Sequence, residues 1–175
     1  MFSNRVVFVV ALYILSGCGD IVPSSSDKRA PVECGISGPS VCQLAPDFTV
    51  SDSLGNPVTL YSLFPTNKGV VLYFTMWCST CDSRMMYMRD FVIPQNPDIV
   101  FLAVDFVSGS VYATHLASSG YEGSGFIVLA DADKSVLNAY KGAMDMTVVI
   151  DNTGVVRMNE YFKTDKLQSV LAGLP

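Results

Sequence analysis

Gly69-Val70-Val71-Leu72-Tyr73-Phe74-Thr75-Met76-Trp77-Cys78-Ser79-Thr80-Cys81 is the stretch that decides the fold. Gly69 to Thr75 is a near-continuous apolar run, the pattern of a strand buried on both faces. After Cys78 the apolar positions fall at helical spacing, through Met85, Met88 and Val92, until Pro94 stops them. A helix directly after a doubly buried strand is the building unit of α/β proteins.

Working outward, the same rhythm repeats. Ile99 to Asp105 reads as a second buried strand, Ser110 to Ser119 as a helix and Phe126 to Ala130 as a third strand. Asp133 is placed to cap a short helix through Val136, Leu137 and Tyr140, with Gly142 at its end. Thr147 to Ile150, the turn Asp151-Asn152-Thr153-Gly154 and Val155 to Tyr161 predict an antiparallel hairpin. Asp165 then opens an amphipathic helix carrying Leu167, Val170 and Leu171. Upstream, Phe48-Thr49-Val50 and Val58-Thr59-Leu60 flank a turn at Leu54-Gly55-Asn56-Pro57 and predict an N-terminal hairpin. The expected architecture is α/β, a central mixed sheet flanked by helices.

The Cys-x-x-Cys at the strand-to-helix junction carries the chemistry. A sulfur at a helix N-terminus faces unpaired backbone N–H groups, which stabilise a thiolate. Cys78 is therefore expected to have a depressed pKa and to attack first. Cys81, one turn further in, is placed to displace the resulting mixed disulfide. A zinc half-site and a structural disulfide are the competing readings. With no second Cys-x-x-Cys and no nearby His, redox chemistry is preferred.

Several stretches together resemble the membrane-tethered thioredoxin-like thiol–disulfide oxidoreductases, including those that reduce apocytochrome c. They are Ala45-Pro46-Asp47-Phe48, Asn56-Pro57-Val58-Thr59-Leu60, Gly69 to Phe74, Trp77 to Cys81 and Val148-Val149-Ile150-Asp151-Asn152-Thr153-Gly154. The resemblance runs from Ala45 to near Ala172. It implies a thioredoxin fold, Cys78 as nucleophile, Cys81 as resolving thiol and Trp77 shielding the pair. It also implies protein thiols and disulfides as substrates, apocytochrome c among the candidates.

Three positions depart from that pattern. Leu72 stands where many thioredoxins carry a buried acid. Arg84 stands where cytochrome-maturation members often have Glu, and a cation there favours thiolate. Met144-Asp145-Met146 replaces the loop with the family's cis-proline, so a trans Met144–Asp145 bond is expected. Beside the sulfurs, the Asp145 carboxylate would oppose a thiolate or accept the proton that Leu72 cannot; the alternative is that it points to solvent.

Residues 1–17 read as an export leader, with Arg5 as the positive n-region and Val6 to Leu15 as the apolar core. The run is shorter than the roughly 20 residues a transmembrane helix needs. Leu15-Ser16-Gly17-Cys18 resembles a bacterial lipobox, which implies acylation of Cys18 and a lipid anchor at a membrane of the cell envelope, facing the periplasm or exterior. An ordinary signal peptide with Cys18 as a spare thiol, or an uncleaved anchor, remains the alternative.

The chain has five cysteines. An exported protein rarely leaves one unpaired, and giving Cys18 to lipid leaves Cys78 with Cys81 and Cys34 with Cys42. Residues 18–44 are expected to form a tether and N-terminal extension, and residues 45–175 the thioredoxin-like domain. The 175 residues suit one domain, a monomer is expected, and the net charge of −5 argues against nucleic acid as a partner. No cofactor is expected.

Two other functions compete. Thr75-Met76-Trp77-Cys78 has the Thr-x-x-Cys spacing of peroxiredoxins, which share the Ala-Pro-Asp-Phe opening, although Val71 replaces the proline that family places four residues before the Thr. A thiol peroxidase is thus the alternative enzyme. A copper-binding module is the alternative of another kind, because Met85, Met86 and Met88 lie beside the motif and Met144 and Met146 are expected to face it. Methionines filling the core are the simpler account. His115 reads as a surface or packed residue.

Overall fold

A computed structural model describes residues 31–175, and its compact unit runs from Val32 to Pro175. The leader, Cys18 and most of the tether lie outside the described residues. Strands β1 (Thr49–Ser51) and β2 (Pro57–Thr59) form the N-terminal antiparallel hairpin. A 3-10 segment, Leu60–Thr66, leads into β3 (Gly69–Thr75). Then follow α1 (Ser79–Tyr87), β4 (Ile99–Asp105), α2 (Val111–Ser118), β5 (Phe126–Ala130) and α3 (Ser135–Ala139). The strands β6 (Met146–Asp151) and β7 (Val156–Tyr161) and the helix α4 (Thr164–Ala172) close the chain.

The five long strands make one mixed sheet in the order β5-β4-β3-β6-β7. β3 runs parallel to β4 and antiparallel to β6, so it lies at the centre of the sheet with partners on both edges. All seven of its residues are buried, as an apolar run between two layers requires. Strand alternation divides them. Val71 and Tyr73 pack with Cys81, Met85, Met88, Val92, Leu167 and Leu171 in one layer. Val70, Leu72 and Phe74 pack with Leu60, Phe64, Val136 and Tyr140 in the other.

Several local details differ from the sequence expectations. The first helix does not simply end at Pro94: a π-helical turn spans Met88–Val92 and a 3-10 turn spans Ile93–Gln95, which keeps both Met88 and Val92 inside. The cap of α3 is shared. Asp133 accepts from the Ser135 N–H, but the buried Asp131 carboxylate accepts from the Val136 and Leu137 N–H groups at 3.0 and 2.8 Å. The left-handed residue after α3 is Lys141 rather than Gly142. Gly142 is required for another reason, since a Cβ there would come within 2.7 Å of the Phe74 ring.

The N-terminal extension is not all tether. Cys42 N–H donates to the Val156 carbonyl, Val156 N–H to the Gln43 carbonyl and Ala45 N–H to the Gly154 carbonyl, so this segment is stitched to the β6–β7 turn and β7. Cys34 and Cys42 are joined by a disulfide with a sequence separation of 8. Among the described residues no helix is long and apolar enough to cross a membrane.

Candidate active site

β3 ends at Thr75, and the chain must turn sharply to start α1 at Ser79. Trp77 makes the turn in the left-handed region, with φ of 58°, and its N–H is held by Thr75 Oγ1 at 3.2 Å. The turn delivers Cys78 to the N-cap of α1, where its sulfur accepts the Cys81 N–H at 3.1 Å. Cys78 is half-buried and Cys81 fully buried, and both are free thiols.

Their environments push the two sulfurs apart. The Cys81 thiol lies within hydrogen-bonding reach of the Cys78 sulfur, and with the N–H groups of Cys81 and Thr80 it lowers the Cys78 pKa against a smaller desolvation effect. Burial raises the Cys81 thiol, and donating to Cys78 raises it further. At neutral pH the outer sulfur is the better nucleophile and the inner one keeps its proton.

The Trp77 ring packs toward the segment after α2, 6.1 Å from the ring of Tyr121. Its indole N–H is buried without a hydrogen bond of normal geometry, yet it lies near enough to help hold the Asp105 carboxylate. Asp105, at the end of β4, is 1% exposed. Its oxygens accept from the Val107 and Ser108 N–H groups and from Thr114 Oγ1. Desolvation works against its charge, but bonds from Ser108 and Val107, with the Trp77 indole N–H close by, outweigh it, so the carboxyl lies below its ordinary range.

The loop before β6 approaches Cys78 from the other side. Met144 Sδ lies 3.6 Å from Cys78 Sγ. Asp145 is left-handed, with φ of 67°, and the described residues contain no cis peptide bond. Its N–H donates to the Phe74 carbonyl and its carbonyl accepts from the Phe162 N–H, so the loop is tied to β3 and to the end of β7. The Asp145 side chain is 17% exposed and does not point freely to solvent. Its Oδ1 accepts from the Tyr73 hydroxyl at 2.9 Å and lies 3.9 Å from Arg84 Nε. Arg84 also lies over the Phe162 ring, 5.1 Å from its centroid, and is thus turned to Asp145 and Phe162.

Leu72 lies in the layer opposite Cys81, whereas Tyr73 lies in the layer of Cys81. The polar side chain that β3 supplies beneath the site is therefore Tyr73, which sequence reading passed over as part of an apolar run. The signal was present: Val71, Tyr73 and Thr75 alternate onto one face, and a phenol in a fully buried run needs a partner for its hydroxyl.

Of the five methionines expected near the motif, Met144 sets its sulfur beside Cys78. Met85 and Met88 are buried core residues, each contributing about 1.5–3 kcal/mol by burial. Met86 is exposed, as a neighbour of Met85 on a helix must be. Met146, contrary to expectation, packs on the far side of the sheet, because alternation past Asp145 turns it there. His115 sits on α2 beside a groove with Ser53, Leu54, Val111 and Tyr112.

The profile of the AhpC/TSA family matches residues 41–159. No curated protein matches the chain at the level of sequence. Among solved structures, a secreted Mycobacterium tuberculosis disulfide oxidoreductase homologous to E. coli DsbE is 26% identical, covering 73% of this chain and 96% of that one with a TM-score of 0.57. A thioredoxin-like protein from Aeropyrum pernix is 17% identical, covering 73% and 89% with a TM-score of 0.61. The exposed lipoprotein thioredoxin Etrx1 of Streptococcus pneumoniae is 19% identical, covering 74% and 100% with a TM-score of 0.56. These similarities make the fold thioredoxin-like.

Proposed function

The chain belongs to the AhpC/TSA family, and on that premise we propose that it is a thiol–disulfide oxidoreductase of the bacterial cell envelope, acting on protein substrates through Cys78 and Cys81. The observation that carries this reading is the unequal pair: a half-buried sulfur with a lowered pKa at a helix N-terminus, and a buried thiol with a raised pKa one turn behind it. A structural disulfide has no use for that arrangement, and an isolated peroxidatic cysteine would use the lowered sulfur but not the buried partner behind it.

In the reducing direction the Cys78 thiolate attacks a substrate disulfide, forming a mixed disulfide and releasing one substrate thiolate. Cys81 then loses its proton and attacks Cys78 Sγ, expelling the second substrate thiolate and leaving the Cys78–Cys81 disulfide. Oxidation of a substrate dithiol is the same path reversed. Met76 and Met144 are exposed and flank Cys78 with Trp77, an apolar rim suited to a polypeptide segment. Apocytochrome c is one substrate of this chemical class. Acylation at Cys18 would place the domain at the membrane surface.

A trapping experiment tests the reading. Cys81→Ser should accumulate a mixed disulfide with a reduced-and-reoxidised protein substrate, and Cys78→Ser should form none. Equal trapping by both variants would refute the assignment.

The family match and the Thr75-x-x-Cys78 spacing also favour a thiol peroxidase as a second reading. In this site, however, Thr75 Oγ1 is engaged by the Trp77 N–H, and Cys78 Sγ contacts the Cys81 N–H and Met144. A second-order rate with hydrogen peroxide far above that of a free thiol would favour the peroxidase.

A further inference from the structure

The thioether sulfur of Met144 takes part in no bond made or broken in the exchange reaction, yet it is aimed at the nucleophile. Its Sδ stands 3.6 Å from Cys78 Sγ, and the Cys81 thiol lies within hydrogen-bonding reach of that same sulfur. The Cys78 sulfur thus has a sulfur neighbour from each of two separate segments, Cys81 from α1 and Met144 from the loop before β6. Metal–sulfur bonds of about 2.3 Å in a trigonal arrangement set sulfurs about 4 Å apart, close to the 3.6 Å between Cys78 Sγ and Met144 Sδ.

The segment that presents Met144 is held in place. Asp145 N–H donates to the Phe74 carbonyl, Phe162 N–H to the Asp145 carbonyl and Met146 N–H to the Ala143 carbonyl, while the Asp145 carboxylate is fixed by Tyr73. A donor on such a loop loses little freedom on coordination.

The donor set also selects the metal. Among the described residues no group of three or more His, Cys, Asp or Glu side chains is placed to hold a metal ion. Zinc, which takes four ligands from Cys, His and carboxylates, has only two donors here. Two thiolates and a thioether make a soft set of low coordination number, the preference of Cu(I).

We propose that reduced Cys78 and Cys81, with Met144, form a three-sulfur site that binds one Cu(I) ion. Binding exchanges the protons on the thiols for the metal and transfers no electron. Oxidation of the pair to a disulfide removes two of the three donors, so the ion can be held only by the dithiol form. The inference shares its sulfurs with the reaction under Proposed function but does not depend on that reaction occurring.

The test is anaerobic titration of the reduced full-length protein with Cu(I) against a chromophoric Cu(I) chelator. One ion per chain is expected in the dithiol form and none in the disulfide form. Met144→Leu should weaken binding about tenfold or more, as loss of a supporting interaction at a metal site does, and Met144→His should restore much of it. Met86→Leu, which alters an exposed methionine on α1, should leave the affinity unchanged. X-ray absorption should count three sulfur neighbours in the wild type and two in Met144→Leu.

Failure of the wild type to compete for Cu(I), retention of the ion by the disulfide form, or equal affinity in wild type and Met144→Leu overturns the site. Disulfide exchange is assayed separately without copper. Exchange without Cu(I) binding overturns the metal site alone, and Cu(I) binding without exchange overturns the enzymatic reading alone.

Discussion

The hydroxyl of Tyr73 donates a 2.9 Å hydrogen bond to Oδ1 of Asp145, joining positions 72 residues apart. It ties the central strand to the loop that carries Met144 and places a carboxylate at the edge of the layer containing Cys81. Burial and the neighbouring Asp145 raise the Tyr73 pKa, so the phenol keeps its proton and remains the donor.

Asp145→Ala removes the acceptor from a buried hydroxyl, costing about 1–3 kcal/mol, and puts Ala in a left-handed conformation, costing about 1–2 kcal/mol. A stability loss of about 2–5 kcal/mol in urea unfolding is expected. Asp145→Asn, which tolerates that backbone and still accepts from Tyr73, should lose much less. Adding Tyr73→Phe to Asp145→Ala should recover part of the loss, because both polar partners are then gone. A double variant less stable than Asp145→Ala would disprove the pairing.

Asp145 also bears on the thiols. Removing its charge should lower the apparent pKa of Cys78 modestly, because Arg84 already balances part of it at 3.9 Å, and should slow resolution by Cys81. Iodoacetamide alkylation across pH, with mixed-disulfide lifetime followed in parallel, measures both. An unchanged titration and lifetime in Asp145→Asn would leave the residue a purely structural role.

The two cysteines should separate in the same kind of experiment on the wild type. Cys78 is lowered from the ordinary thiol value by its bond to Cys81 and by backbone N–H groups, so its alkylation should rise at a pH below that of a free thiol. Cys81 is raised, chiefly by burial, and should react only well above it. Peptide mapping of the labelled thiols distinguishes them, and equal labelling at neutral pH would contradict the assigned order of attack.

How far the sequence reveals this site depends on the range of the interactions involved. β3 and α1 are legible because burial on two faces and helical periodicity are written in consecutive residues, and the Cys-x-x-Cys lies at their junction. The approach of Met144 to Cys78 is expected from the resemblance, which sets the loop before β6 beside the motif, but the bond from Tyr73 to Asp145 is not legible, since it depends on the antiparallel register of β3 with β6. Met146 faces away from the motif because strand alternation sets it with Val148 and Ile150 in the opposite layer, a side that shows only once the start of β6 at Met146 is known. The π-helical turn after Tyr87 is likewise a compromise of packing rather than of local preference.

The Cys34–Cys42 disulfide closes a short loop that is stitched to β7. In the chain-entropy model such a closure contributes about 2–3 kcal/mol. Replacing both cysteines with Ala should lower stability by about that amount while leaving the alkylation profile of Cys78 unchanged. A shifted profile would mean that the extension reaches the site.

Cys18 carries the expected attachment to the membrane. One acyl chain binds only marginally, so a stable anchor needs the multiple acylation that a lipobox implies. Cys18→Ala should move the protein from the membrane to the soluble fraction, and mass spectrometry of the wild type should find lipid on Cys18. An intact leader or an unmodified Cys18 would remove the anchor from the proposal.

Acid should weaken the fold through two buried carboxylates. Desolvation opposes the charge of Asp105, but bonds from Ser108 and Val107, with the Trp77 indole N–H close by, overcome it; for Asp151, bonds from Thr153, Val155 and Arg157 do the same. Both folded-state pKa values therefore lie below the ordinary carboxylate value of about 3.9 that the unfolded chain has. The unfolded state binds protons first as pH falls, so the stabilisation is fully present above that value and is lost as pH drops through the folded-state values. Urea unfolding between about pH 5 and pH 2 should show stability falling with acid, and Asp105→Asn should flatten that slope. The amide can still accept from the Val107 and Ser108 N–H groups and can donate to Thr114 Oγ1, so it keeps the loop while losing the titration. A slope in Asp105→Asn as steep as in the wild type would show that the acid sensitivity arises elsewhere. The loop and Trp77 would then keep their packing role without an electrostatic one.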